Sequence, residues 1–322
     1  MSDLFSIVIV TYNSGDHIAA CLDACAPWAV PIIVVDNASS DDTVAIVRTR
    51  PEVQLIANLE NRGFAAAANQ GFAAASSEAV LLLNPDAQPI DGLDWMARAA
   101  NHYGAAGGKL LSTGSDQRQQ GFEFRSFPTP WTLAFEVLGI NRLWPHNVLN
   151  RRYRYSKPRP DRSVDQPAGA FLMVHREAWL NLGGFDESFH PLWFEDVDFC
   201  KRLYAAGYSA VFESRASAYH LGAGSIRKIN WNSRQLQWYV SLLKYGSKHF
   251  GWMGRSLVCA ATMLACAPRA IATAISRKGA GPFWVYSKVF WLAGRMLLGL
   301  KASGFGVNRV GENSAPAYGS QQ

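Results

Sequence analysis

Short apolar runs alternate with helix-forming stretches over the first third of the chain, and that alternation sets the fold class. Phe5 to Val10, Ile32 to Val35, Val53 to Ala57 and Ala79 to Leu83 are apolar at nearly every position. Runs of this length without polar alternation predict strands buried on both faces. Between them, Asp16 to Ala26, a segment ending near Arg48 and the alanine-rich Gly63 to Ala75 read as helices. Ser39-Ser40-Asp41-Asp42 offers the oxygen acceptors that start the second of these. The order predicts an α/β fold with a Rossmann-like, mostly parallel central sheet and helices on both faces.

In such a sheet ligands bind beyond the carboxyl ends of the strands. Those ends read Thr11-Tyr12-Asn13, Asp36-Asn37, Asn58 and Asn84-Pro85-Asp86, and all of them are polar. The last is a turn that brings one carboxylate to the edge of the sheet, where it suits a divalent cation. A second signature, Trp193-Phe194-Glu195-Asp196-Val197-Asp198, sets three carboxylates within four residues beside two aromatics. Desolvation and mutual repulsion there raise a carboxylate pKa, which suits a group that takes a proton. Each motif alone also fits a plain role, a turn in one case and the solvated start of a helix in the other. Their combination points to a transferase site. No Gly-x-Gly-x-x-Gly turn follows the first strand, which disfavours a dinucleotide-dependent dehydrogenase.

The stretch from Ser112 to Asp165 has no clear period and includes a basic run, Arg151-Arg152-Tyr153-Arg154. It reads as an excursion of loops and short helices, a usual place for substrate specificity. A strand over Ala168 to His175, a helix from Glu177, a helix over Asp196 to Ala206 and a strand over Ala210 to Glu213 close the body. Beyond it the charge changes. No acidic residue occurs between Glu213 and Glu312, an interval with 14 of the 31 basic residues, which leaves 17 basic against 25 acidic elsewhere. The net charge of +6 is thus an acidic body joined to a basic tail. The expected division is a catalytic domain over 1–225 and a basic, amphipathic helical region over 226–322.

Two apolar runs lie in that tail. Leu257 to Pro268 stops at Arg269, short of the roughly 20 residues of a spanning helix. Phe283 to Leu300 carries Lys288 and Arg295 on one helical face. Both suit helices lying in the interface of an anionic membrane. The alternative is a helical appendage packed on the body. The basic residues are spaced among long apolar runs, which disfavours a nucleic-acid partner. Five cysteines form no Cys-x-x-Cys pair, as expected of reduced thiols in the cytoplasm, and no signal peptide is read at the N-terminus.

Five motifs occur in order: Ile9-Val10-Thr11-Tyr12-Asn13, Val34-Val35-Asp36-Asn37 with Ser39 to Thr43, Asn61-Arg62-Gly63-Phe64, Asn84-Pro85-Asp86 and Phe194-Glu195-Asp196. Over roughly residues 4–225 the chain resembles inverting family 2 glycosyltransferases of the GT-A fold. Asn61 to Phe64, Asn84 to Asp86 and Gly183-Gly184-Phe185-Asp186-Glu187 make it similar to the bacterial rhamnosyltransferase-like branch. The resemblance implies a nucleotide pocket of Thr11, Tyr12, Asn13, Asp36, Asn37, Arg62, Gly63 and Asn84. In it Asp36 would accept from the N–H of a pyrimidine and Arg62 would reach the diphosphate. Asp86, with His220 as a late second ligand, would hold Mg2+ or Mn2+. Asp86-Ala87-Gln88 stands where the family often has Asp-x-Asp, so one carboxylate is absent. Asp196 would be the general base, with Glu195 or Asp198 as alternatives. Trp193 and Phe194 would form a platform for a sugar ring, and Gly169 would leave room for the acceptor.

The function implied is transfer of a sugar, L-rhamnose from dTDP-rhamnose being favoured, to a saccharide on a polyprenyl carrier at the cytoplasmic face of a bacterial membrane. A UDP-sugar donor is the first alternative. A membrane-bound scaffold that has lost catalysis is the second.

Overall fold

A computed structural model describes residues 4–155, 157–159, 162–222 and 229–300. Strands β1 (Phe5–Thr11), β2 (Ile32–Asp36), β3 (Val53–Ala57) and β4 (Ala79–Leu83) form on the apolar runs. They pair in parallel in the order β3-β2-β1-β4. The intervening helices are α1 (Gly15–Cys25), α2 (Thr43–Arg48) and α3 (Phe64–Ala74). Burial on both faces explains the lack of alternation in β1, β2 and β4, whereas β3, at the sheet edge, is only partly buried despite its apolar sequence. Phe5, Ile7 and Ile9 pack with Ile18 and Leu22 of α1, whereas Val8 and Val10 pack with Ala67, Ala68 and Phe72 of α3.

The next segment folds as β5 (Ala87–Asp91), α4 (Leu93–Tyr103) and β6 (Gly104–Ser112). The excursion that follows holds β7 (Phe124–Arg125), α5 (Pro130–Leu138), α6 (Ile140–Leu143), α7 (Val148–Arg154), β8 (Ser163–Val164) and β9 (Gln166–Pro167). The chain then returns as β10 (Phe171–His175), α8 (Arg176–Asn181), α9 (Glu195–Ala205) and β11 (Ser209–His220). β10 runs antiparallel between β4 and β6, β11 is parallel to β6, and β5 is antiparallel to β11. The sheet is therefore mixed, and the expected parallel character is concentrated in its first four strands. A strand that returns after a long excursion is free to enter in either direction, whereas a short helical crossover enforces parallel pairing.

β11 outruns its expected end at Glu213. Its register against β6 shifts between Phe212 and Ser217, which breaks the sequence pattern without ending the strand. Its second half reaches His220, opposite Ala87 of β5.

Three helices follow: α10 (Trp231–His249), α11 (Trp252–Arg277) and α12 (Gly281–Leu297). They bury a third core that includes Tyr239, Tyr245, Val285 and Leu292 and also takes in Leu133 and Val137 of α5 and Phe189. The expected division at 225/226 lies outside the described residues. α11 continues through Pro268 and Arg269, where the sequence suggested a break. Pro268 is on the exposed side of the helix, and the Arg269 guanidinium donates to the carbonyls of Val137 (2.6 Å) and Glu136 (2.8 Å) at the end of α5. By length and composition α11 could cross a membrane, with 39% of its most apolar window buried in the fold.

Candidate functional site

A cavity of about 620 Å3 opens beyond the carboxyl ends of β1 and β4. Thr11, Tyr12, Asn37, Asn84 and Asp86 line it from the strand ends, and Gly169, Trp193, Phe194, Glu195, Asp196 and His220 line it from later in the chain. Of the expected site residues, Asn13, Asp36, Arg62 and Gly63 are not on its wall.

Asp36 is buried and its oxygens are occupied. Oδ1 accepts from the hydroxyls of Thr11 (2.9 Å) and Ser39 (2.5 Å), and Oδ2 accepts from the Ser39 N–H (2.9 Å). Asn13 Oδ1 accepts from the Ser40 N–H at 2.8 Å. These bonds tie the loop after β1 to the loop after β2, so in this structure Asp36 and Asn13 shape the pocket from behind. Asn37 fixes the next loop: its Oδ1 accepts from the Arg62 N–H and its Nδ2 donates to Asn61 Oδ1, both at 2.9 Å. Arg62 itself is exposed beside Asn61. Gly63 has φ of +84°, and a Cβ there would lie 2.6 Å from His190 Nδ1. Its backbone thus admits the segment that leads to Trp193, and the Phe64 N–H donates to the Pro191 carbonyl at 2.8 Å.

Asp86 and His220 meet because β5 starts just after Asp86 and pairs with the end of β11. His220 Nε2 lies 3.5 Å from Asp86 Oδ1, with both side chains buried. Gln119, which the sequence reading missed, sets the imidazole tautomer. Its Nε2 donates to the His220 carbonyl (2.6 Å), which turns its Oε1 toward His220 Nδ1 (3.0 Å). An acceptor at that position requires the proton on Nδ1 and leaves a lone pair on Nε2. Phe122 stacks on the ring with centroids 5.2 Å apart. Burial holds the imidazole below its usual pKa, against the opposing charge of Asp86. His220 Nε2 has no hydrogen-bond partner among the described residues. An uncommitted buried nitrogen beside a carboxylate fits a divalent cation whose other ligands come from a diphosphate and water. No group of three His, Cys, Asp or Glu side chains that could hold a metal occurs among the described residues. Any cation here depends on the substrate for the rest of its shell.

The three carboxylates of α9 have three environments. Asp196 Oδ2 accepts from the Gly169 N–H (3.2 Å) and Oδ1 from the Val197 N–H (2.8 Å). Burial raises its pKa, and those two N–H groups oppose the rise. A Cβ on Gly169 would lie 3.1 Å from Asp196 Oδ2. The missing side chain at Gly169 makes room for the Asp196 carboxylate, and Gly169 also lines the cavity. Burial and the neighbouring Asp196 push Glu195 well above the usual carboxylate range, and its Oε2 has no partner among the described residues. Asp198 is absent from the cavity wall. It is held by Arg202 Nε (2.8 Å), Lys248 Nζ (2.7 Å) and His249 Nε2 (2.7 Å). Those bonds remove it as a candidate base. Trp193 and Phe194 carry φ of +77° and +71°. Bulky side chains seldom adopt that region, and such strain gathers at functional sites.

The family model for Glycosyl transferase family 2 matches residues 6–162. That stretch is a glycosyltransferase family 2 domain. It is 29% identical over 276 residues to the N-acetylglucosaminyl-diphospho-decaprenol L-rhamnosyltransferase of Mycobacterium tuberculosis (strain H37Rv), covering 78% of this chain and 87% of that protein. Glycosyltransferase AglE of Haloferax volcanii is 26% identical over 216 residues, 64% of this chain and 63% of its own length. The GT-A fold is shared with the mannosyltransferase PcManGT of Pyrobaculum calidifontis, solved with GDP-Man and Mn2+. That alignment has a TM-score of 0.51 and 17% identity and covers 92% of this chain and 89% of that one.

The clamp on Asp198 yields a pH test of this glycosyltransferase. Burial alone would raise the Asp198 pKa, but His249, Lys248 and Arg202 outweigh it and hold the folded value below the ordinary 3.8. The contribution is present above that ordinary value and is lost as the pH falls through the folded one. Asp198→Asn should lose about 2–4 kcal/mol at pH 7. The gap to wild type should narrow as the pH drops below about 4 in urea denaturation. A gap independent of pH would remove the charge from the explanation.

Proposed function

We propose that this hexosyltransferase inverts the anomeric centre by direct displacement, with Asp196 as the base. The observation that carries the proposal is one cavity bordered by the Asp86–His220 pair and by Asp196, which is half-buried and oriented by two backbone N–H groups. The acceptor hydroxyl oxygen attacks C1 of the donor sugar, and the bond from C1 to the diphosphate oxygen breaks. The hydroxyl proton passes to Asp196, and the electron pair leaves with the nucleoside diphosphate. Thr11, Tyr12, Asn37 and Asn84 line the donor side, with Asp36, Asn13, Arg62 and Gly63 holding or flanking it. Trp193 and Phe194 offer the sugar an apolar face. Asp86 and His220 would hold Mg2+ or Mn2+, which neutralises the charge that develops on the diphosphate.

The relative's name, an L-rhamnosyltransferase acting on a diphospho-decaprenol saccharide, favours dTDP-rhamnose as donor and a polyprenyl-linked saccharide as acceptor. A UDP-sugar donor is the alternative, and turnover with a panel of nucleotide sugars separates them. We also place the functional division near residue 225, with the helical region docking the enzyme on the cytoplasmic face of the cell membrane. Two features support this. Leu264, Ile271 and Ile275 of α11 and Phe283, Trp284, Phe290 and Trp291 of α12 are exposed. Lys288 lies 3.9 Å from the Trp284 ring and Arg295 4.7 Å from that of Trp291. Aromatic side chains carrying basic ones suit the boundary between acyl chains and anionic headgroups.

Asp196→Asn should lower turnover about 100- to 10,000-fold while nucleotide affinity is retained. Turnover above a tenth of wild type would assign the base elsewhere. Gln119→Leu should weaken Mn2+ binding about 10- to 100-fold by releasing the tautomer. The readout is calorimetric titration of Mn2+ in the presence of nucleoside diphosphate, and unchanged affinity would separate His220 from the metal. In flotation with anionic vesicles, the double variant Trp284→Ser with Trp291→Ser should bind less than wild type. Each Lys or Arg near the surface adds roughly 1 kcal/mol, so binding should also fall with salt. A wild-type chain that stays off anionic vesicles at low salt would end the membrane reading.

A further inference from the structure

Two arginines from the excursion between β6 and β10 line the cavity, Arg125 and Arg154. Arg154 is committed: its Nε donates to Asn150 Oδ1 (3.1 Å) and its Nη2 pairs with Glu136 (3.1 Å). Arg125 makes no ion pair among the described residues. Its Nε donates to the Gly121 carbonyl at 2.6 Å, and its guanidinium lies 5.8 Å from the Phe122 ring and 5.9 Å from the Tyr153 ring. Arg154 lies 5.7 Å from the same Tyr153 ring. Two guanidiniums therefore share one aromatic ring while Glu136 pairs with only one of them. The second is fixed in direction, and its terminal nitrogens are left for a ligand in the cavity. A planar cation held in this way matches the oxygens of a phosphate. Such a group also has a need to meet. An anionic acceptor entering a cavity that contains Asp86 and Asp196 encounters like charge, which a fixed cation offsets.

We propose that Arg125, backed by Arg154 across Tyr153, forms an anion subsite for a phosphate or diphosphate group carried by the acceptor. It rests on the transferase reading above and assigns a role to the basic run at Arg151 to Arg154. Arg125 grips the anion and Tyr153 sets the spacing of the two cations. The anchored group then holds the acceptor chain while its hydroxyl reaches Asp196.

The test is direct binding to the full chain, followed by tryptophan fluorescence, since Trp193 and Trp238 line the cavity. Farnesyl diphosphate is compared with farnesol in Mn2+ and saturating thymidine diphosphate, so that donor-side phosphate binding is already filled. Wild type should prefer the diphosphate by about tenfold or more, the scale of a charge-assisted pair. Arg125→Gln should remove most of that preference, Arg125→Lys should keep part of it, and both should bind thymidine diphosphate within about twofold of wild type. A preference unchanged in Arg125→Gln, or absent from wild type, overturns the subsite. If Arg125→Gln loses thymidine diphosphate affinity instead, Arg125 serves the donor and the proposal also fails. Binding ratios do not depend on turnover. A chain that transfers no rhamnose yet shows the Arg125-dependent preference would fail the donor assignment and keep the subsite.

Discussion

The register of β11 is the constraint on which the site depends. One strand pairs with β6, β8 and β5, and its last residue is His220, opposite Ala87. Because Ala87 follows Asp86, that pairing carries His220 to the carboxylate with no loop to position it. A slip of one residue would turn the imidazole to the other face of the sheet, since side chains alternate along a strand. The irregularity between Phe212 and Ser217 lets the strand bend there and still end in register. Gln119 then needs only two hydrogen bonds to orient the ring.

Electrostatics separates three carboxylates that the sequence presents as equals. Helix geometry sends Glu195, Asp196 and Asp198 in different directions from one turn, and burial acts on all three. Asp196 keeps two backbone N–H donors, which favour the ionised form but do not overcome burial. Glu195 has an oxygen without a partner and a charged neighbour, so its neutral form is favoured more strongly. Asp198 has three cationic or hydrogen-bonding partners and stays charged. Of the two in the cavity, Asp196 is the one with two backbone N–H donors to favour the carboxylate form. Burial and Asp196 push Glu195 toward its neutral form, in which it adds little repulsion. The same cluster that looks redundant in sequence divides into the proposed base, a neighbour pushed toward neutrality and a structural clamp.

What was legible in the sequence follows from range. β1 to β4 and their helices are local, and an unbroken apolar run or an alanine-rich stretch carries their signal within a few residues. The polar strand ends could be read as a site because parallel strands end on one edge. The roles within that edge were less legible. Asp36 has the residue type of a ligand, and three of its acceptor positions are taken by Thr11 and Ser39, a fact set by the folding of two loops against each other. Gly169 lacks a side chain for the sake of Asp196, a contact across 27 residues that no local pattern encodes. Gln119 and Arg125 lie in a stretch with no period at all. Their importance comes from what β11 and α7 bring beside them. The antiparallel entry of β10 was hidden for the same reason, since the excursion before it leaves direction undetermined.

The helical region is more than an attachment to this site. Lys248 and His249, at the end of α10, supply two of the three side chains that hold Asp198, one turn from the helix start that carries Asp196. Phe194 packs on Tyr245 of the same helix with centroids 5.3 Å apart, and the Ser241 hydroxyl donates to the Leu192 carbonyl at 3.0 Å. Four side chains of α10, Ser241, Tyr245, Lys248 and His249, therefore bind it to the strained segment that presents Asp196. α10 packs in turn on α12, whose outer face is the exposed aromatic one. Residues 190–198 are thus held between the sheet and the helices, and neither alone fixes them. Side chains at positive φ persist only where their surroundings over-determine them. Here that surrounding comes partly from α10, so the placement of Asp196 depends on the helical region, whereas the Asp86–His220 pair is set by the pairing of β5 with β11.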